Sequence, residues 1–141
     1  MRTDKNVWSA ACHCKAIQFE VKLTDGLNTA SRCTCSFCRM RGAIAVTAEL
    51  GGIKFLAGEN LLTLYQFNTG TAKHYFCPTC GIYTHHRRRS NPNEYGVNVA
   101  CLEGVSPFDF DEVVVLNGIN HPSDAGNVST VAGTLKFERS M

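Results

Sequence analysis

Eight cysteines carry most of the chemistry available to this 141-residue chain. They stand as Cys12-His13-Cys14, as Cys33-Thr34-Cys35-Ser36-Phe37-Cys38, as Cys77-Pro78-Thr79-Cys80-Gly81 and as a lone Cys101. Thiolate is a soft ligand that selects zinc over magnesium or calcium. Cys77-Pro-Thr-Cys80-Gly is the most specific of these groups. In such a knuckle Pro78 pre-sets φ, Gly81 can take a left-handed conformation, and nearby amides point at the sulfurs. A structural zinc takes four ligands. Cys12-x-Cys14 is the natural complement, because residues i and i+2 of an extended chain project from one face. Cys12, Cys14, Cys77 and Cys80 are therefore expected around one structural Zn²⁺, closing a long loop that a small β-domain would otherwise hold by packing alone.

Cys33, Cys35 and Cys38 offer three thiolates. Three protein ligands leave a tetrahedral ion one open position, the pattern of a catalytic or ligand-binding zinc. An outside thiol is a chemically matched fourth ligand, and zinc would hold it as thiolate. The alternative is that Cys101 or a histidine completes a second closed site. Four disulfides are the other possible use of eight cysteines. Against them stand the chain length, the poor disulfide geometry of residues two apart on a strand, and an N-terminus, Met-Arg-Thr-Asp-Lys-Asn, with no apolar signal region. Reduced thiols in the cytoplasm are the expectation.

The elements that must position these residues read as β. Ala16 to Leu23 alternates Ile17, Phe19, Val21 and Leu23 with Gln18, Glu20 and Lys22, a half-buried strand closed by Thr24-Asp25-Gly26. Further strands are predicted over 43–49, 53–56, 61–67, 72–76, 82–86, 95–101, 113–116 and 135–137, with short helical turns near 36–41 and 107–111. The stretch 122–133 reads as a surface excursion. No segment sustains a helical apolar period over three turns. Charged residues make up 18% of the chain and the formal net charge is +2, against roughly 25% charged in an average domain. That balance disfavours disorder and a nucleic-acid footprint, and no apolar run reaches the length of a membrane span. A chain of this size fits one domain over 1–141.

The order of motifs resembles a known family. Cys-x-Cys before an alternating Ile-Gln-Phe-Glu strand, then Cys33-Thr-Cys-Ser-Phe-Cys-Arg39, Phe76-Cys-Pro-Thr-Cys-Gly81 and Val97-Asn-Val-Ala-Cys-Leu-Glu-Gly104 is similar to the glutathione-dependent formaldehyde-activating enzymes, which share a domain with centromere protein V. The likeness runs from about Ser9 to Pro107. It implies a mainly β, zinc-stabilised Mss4-like fold of several coiled antiparallel sheets. It also implies a structural zinc on Cys12, Cys14, Cys77 and Cys80, and a second zinc on Cys33, Cys35 and Cys38 at which glutathione sulfur binds. The implied activity is that of a carbon–sulfur lyase condensing glutathione with formaldehyde or a related small aldehyde, or of a glutathione carrier. Lys15 stands where the family usually has Gly, Thr34 replaces a frequent His, and a Trp-containing close is absent.

Glutathione carries two carboxylates that need cationic partners; Arg39 and then Arg41 are the candidates nearest the triplet. Arg87-Arg88-Arg89, after His85-His86, reads as a solvated strand edge. His13 is expected to point away from the metal, His74 and His121 to be surface or satisfied, and Cys101 to be a small buried hydrophobe. Two rival readings are a non-catalytic zinc module for protein or nucleic acid with both metals closed, and a redox enzyme using Cys101 as nucleophile, for which no activating neighbour is visible.

Overall fold

The computed structural model describes residues 7–67, 70–89, 91–118 and 130–140. His121 and most of the expected surface excursion lie outside the described residues. Ten strands are described: β1 (Val7–Ala11), β2 (Gln18–Leu23), β3 (Ser31–Cys33), β4 (Ala45–Ala57), β5 (Thr63–Tyr65), β6 (Lys73–Phe76), β7 (Tyr83–Arg87), β8 (Glu94–Asn98), β9 (Glu112–Leu116) and β10 (Val131–Lys136). Among the described residues the one α-helical segment, α1 (Cys38–Arg41), is a single turn, and 3₁₀ turns cover Glu59–Leu61, Val99–Cys101 and Pro107–Asp109. The mainly β architecture expected from the alternating runs is what forms.

Alternation decides the core. Phe19, Val21 and Leu23 of β2 are fully or almost fully buried, and they meet Ile17, Val46, Val97 and Val99 in one apolar cluster. Removing such side chains from water is the main favourable term for a sheet of this size. The two strands expected over 43–49 and 53–56 are one, β4, in which Gly51 (φ 85°) and Gly52 form an irregular step. Before that step β4 pairs with β8, Ala45 opposite Asn98 to Glu49 opposite Glu94, and it pairs with β2 on both sides of the step, Ala48 opposite Leu23 and Ile53 opposite Val21. A bulge of this kind shifts the register of β4 against β2 and bends the strand.

All ten strands belong to a single hydrogen-bonded sheet, running β10-β9-β3-β4-β8-β7-β6-β5 with β2 on β4 and β1 on β2. The pairing refines the expectation of separate antiparallel sheets, because β3 and β9 run parallel, Cys33 opposite Leu116. Parallel neighbours need a long connection, and most of the chain lies between these two. Neither β1 nor β3 was predicted. Both are short, and β3 is polar and Cys-containing, so neither carries a period-2 apolar signal. Arg87 ends β7, which lies between β6 and β8 and is not a sheet edge. Arg87 donates from Nε to Pro92 O at 2.6 Å, and Arg88 pairs with Glu94 at 3.7 Å. The arginine run is thus tied into the β7–β8 turn rather than forming the solvated edge expected of it.

Candidate metal centres

The turn from Cys12 to Ile17 is not the extended Cys-x-Cys expected. Cys12 N donates to Ile17 O and Lys15 N to Cys12 O, both at 3.1 Å, so the two cysteines sit on a tight loop between β1 and β2. Lys15 takes φ 66°, the left-handed region that a side chain disfavours. Across from it, the β6–β7 connection is the knuckle that the sequence suggested. Cys77 N donates to Ile82 O at 3.0 Å, Gly81 N donates to Cys77 O at 2.8 Å, and Gly81 has φ 77°. The two loops present four sulfurs to one another, all within 4.8 Å, with Cys12–Cys14 and Cys14–Cys77 at 3.7 Å. Tetrahedral zinc with Zn–S bonds of about 2.3 Å requires sulfurs about 3.8 Å apart. The donor set and its spacing fit that ion.

Backbone amides serve these sulfurs. Ile17 N lies 3.4 Å from Cys12 Sγ. Amide hydrogen bonds, Cys80 N foremost, draw Cys77 below its ordinary value, and amide donation led by Cys14 N brings Cys80 down to about 6. Donors that favour thiolate favour metal uptake, because a ligand must lose its proton to bind. His13 is exposed and outside the group. Cys101 belongs to neither cluster. Its Sγ donates to Tyr83 O at 3.5 Å, and burial, with the charges of Cys12 and Cys80 adding, pushes the thiol up to about 12. That is an inert buried thiol, the opposite of an activated nucleophile.

The second group is local. β3 ends at Cys33, Cys35 follows in the turn, and Cys38 opens α1; the three Sγ atoms lie within 4.8 Å of one another. Among the described residues no fourth Cys, His, Asp or Glu joins them. Cys35 N approaches Cys33 Sγ at 3.4 Å and Cys38 N approaches Cys35 Sγ at 3.2 Å. The sulfurs share their protons unequally. Hydrogen bonding from Cys33 and then Cys38 holds Cys35 far below the usual thiol range, while the same sharing raises Cys33 and Cys38. A soft trio of this kind fits zinc as three of its four ligands.

Side chains and backbone from beyond the triplet surround this site, and the spacing of the cysteines revealed few of them. Gly118, beyond the end of β9, donates to Thr34 Oγ1 at 2.9 Å. A Cβ at Gly118 would come within 2.7 Å of Cys35 Cβ and closer still to the Cys33 sulfur. Arg41 turns inward: Nη2 donates to Cys38 Sγ at 3.6 Å and Nη1 to His74 Nδ1 at 2.9 Å. Its guanidinium carbon lies 3.8 Å over the Tyr83 ring and 4.8 Å over Phe37. His74, buried and satisfied, is kept neutral, with a pKa lowered to about 4 by burial and then by the Arg41 charge. Arg39, by contrast, is exposed and has no ion pair among the described residues.

Residues 7–113 match the family described as glutathione-dependent formaldehyde-activating enzyme. Among solved structures, the chain is similar to the crystal structure of a Rhodobacter sphaeroides protein determined as a structural-genomics target. The two are 63% identical with a TM-score of 0.73, over 74% of this chain and 96% of that one. The described residues contain no helix long and apolar enough to cross a membrane.

Proposed function

The chain belongs to the glutathione-dependent formaldehyde-activating enzyme family, and on that premise we propose that it is a zinc-dependent carbon–sulfur lyase joining glutathione to formaldehyde or a related small aldehyde. The observation that carries this reading is the inequality of the two clusters: among the described residues, four ligand side chains gather at one and three at the other. Cys12, Cys14, Cys77 and Cys80 hold a closed structural zinc. Cys33, Cys35 and Cys38 hold a second, for which a ligand from outside the chain is the fourth. Zinc there supplies Lewis-acid stabilisation of a guest thiolate. Overall, the glutathione sulfur adds to the carbonyl carbon and its proton ends on the carbonyl oxygen, giving S-hydroxymethylglutathione with no change of oxidation state. The reverse reaction breaks the same carbon–sulfur bond.

The chain's own part is largely positional. Free thiols already add to formaldehyde, so holding the two reactants together is itself an acceleration, and the protein acts as a glutathione carrier to that extent. The Thr34–Gly118 hydrogen bond ties the triplet loop to the end of β9. Exposed Arg39 is the cation assigned to a glutathione carboxylate; Arg41, whose Nη1 and Nη2 already donate to His74 and Cys38, is not. Thiol ligands must stay reduced, which places the working protein in the cytoplasm.

Zinc-edge X-ray absorption on protein carrying two ions tests the proposal. On adding glutathione, the mean number of sulfur ligands per zinc should rise from about 3.5 to about 4. Unchanged coordination would overturn it in favour of a binding module with two closed sites.

A further inference from the structure

We propose that Arg41 is a positioning residue of the three-cysteine centre, offsetting its negative charge and fixing the direction of the Cys38 sulfur; the inference rests on reading that cluster as a zinc site. Cys38 and Arg41 are three apart on the single turn of α1, so their side chains rise on one side. Gly42 closes the turn, its N–H donating to Cys38 O at 2.9 Å, which holds the two residues in register.

The guanidinium is then fixed from beyond the helix. Arginine only donates, so His74 Nδ1 accepts from Nη1 and the imidazole carries its proton on Nε2. Tyr83, under the guanidinium, is itself anchored: its hydroxyl donates to Gly96 O at 3.1 Å and meets His86 Nδ1 at 2.5 Å. A hydroxyl has one proton to give, so His86 is the donor in that second contact. His74 and His86 stack at 5.2 Å, and Phe37 meets His74 edge-on at 4.6 Å. Strands β6, β7 and β8 thus build a seat for a planar cation. From that seat Nη2 is turned to the Cys38 sulfur.

Charge gives the seat its purpose. Three thiolates around a dication leave one net negative charge, and a guest thiolate would make it two. No carboxylate among the described residues pairs with Arg41, so its charge is not spent elsewhere. Partners that hydrogen-bond metal ligands from the second layer govern affinity and orientation, and a guanidinium beside sulfur in a partly desolvated site acts more strongly than in water. Lysine would keep the charge but could not serve Cys38 and His74 from one plane stacked on Tyr83.

Titration of the reduced full-length chain with Co²⁺ tests this, read from the thiolate-to-cobalt charge-transfer bands of the two sites beside the thermal melting transition. Arg41→Gln should weaken uptake at the three-cysteine site by about ten- to a hundredfold and shift its band, while the four-cysteine step and the melting transition stay as in the wild type. Arg41→Lys should recover part of the loss. An unchanged constant and band in Arg41→Gln would overturn the inference. If Arg41→Gln shows no melting transition, Arg41→Lys decides: weaker uptake at the triplet supports the role and wild-type uptake overturns it. A wild-type chain that takes only one ion overturns the zinc reading of the triplet, and this inference with it. Two ions in the wild type with both variants unchanged overturns the role of Arg41 alone.

Discussion

The two cysteine clusters use the same atom for opposite ends. In the four-cysteine group, the ligands come from two loops far apart in sequence, Cys12–Ile17 and Cys77–Ile82, each closed by its own backbone hydrogen bonds. The ion such a group holds ties β1–β2 to β6–β7, and its binding energy is folding energy. In the three-cysteine group, all ligands lie within six residues, so an ion there adds little to chain closure. What surrounds that group instead is supplied from a distance: Gly118 against Cys33 and Cys35, Arg41 on Cys38, and His74 and Tyr83 behind Arg41. One site joins elements together; the other is carried by elements already joined. On the proposed function, ligand count and sequence separation, taken together, distinguish a staple from a working site.

Breaking the staple should cost most. Cys80→Ser is expected to lose one zinc and the cooperative melting transition, since structural zinc contributes about 10 kcal/mol or more in small domains; a native calorimetric transition in this variant would erase the contrast between the clusters. Cys35→Ala should instead keep the transition close to wild type while the second zinc and glutathione binding are lost. Isothermal calorimetry with glutathione reads that loss, and retained binding would contradict the assignment. A smaller effect is expected from Gly118→Ala, whose added methyl meets Cys33 and Cys35. Overpacking of this kind costs about 1–3 kcal/mol, and it should weaken metal uptake at the triplet without touching the four-cysteine site. Equal zinc retention at both sites under chelator competition would show that Gly118 does not shape the triplet. The smallest change is a gain. Lys15, at φ 66° in the four-cysteine loop, pays a left-handed penalty of about 1 kcal/mol, so Lys15→Gly should raise the melting temperature by a few degrees; a fall would show that Lys15 is not strained.

Much of the architecture was legible because burial follows alternation. Ile17, Phe19, Val21 and Leu23 point into the core as their spacing requires, and the knuckle at Cys77–Gly81 has the left-handed glycine that its turn needs. Expectations failed where position depends on partners. Cys12 and Cys14 sit on a turn rather than a strand, because Cys12 must bond across to Ile17 to begin the β1–β2 pairing. Arg41 is a candidate for an outside carboxylate by its nearness to the triplet, yet its Nη1 and Nη2 donate to His74 and Cys38. Gly118 carried no signal, being one of twelve glycines, and a search for glycines just after predicted strands is the only sequence clue that would have raised it.

Which sulfurs could share an ion locally and which side chains would be hidden are legible along the chain, since both follow from covalent spacing within a turn or along a strand. Which loops face one another and what leans on the triplet emerge with the folded sheet. Those outcomes hang on strand register, on β3 lying parallel to β9 and β6 pairing with β7, and register is a property of two segments at once that neither segment encodes alone.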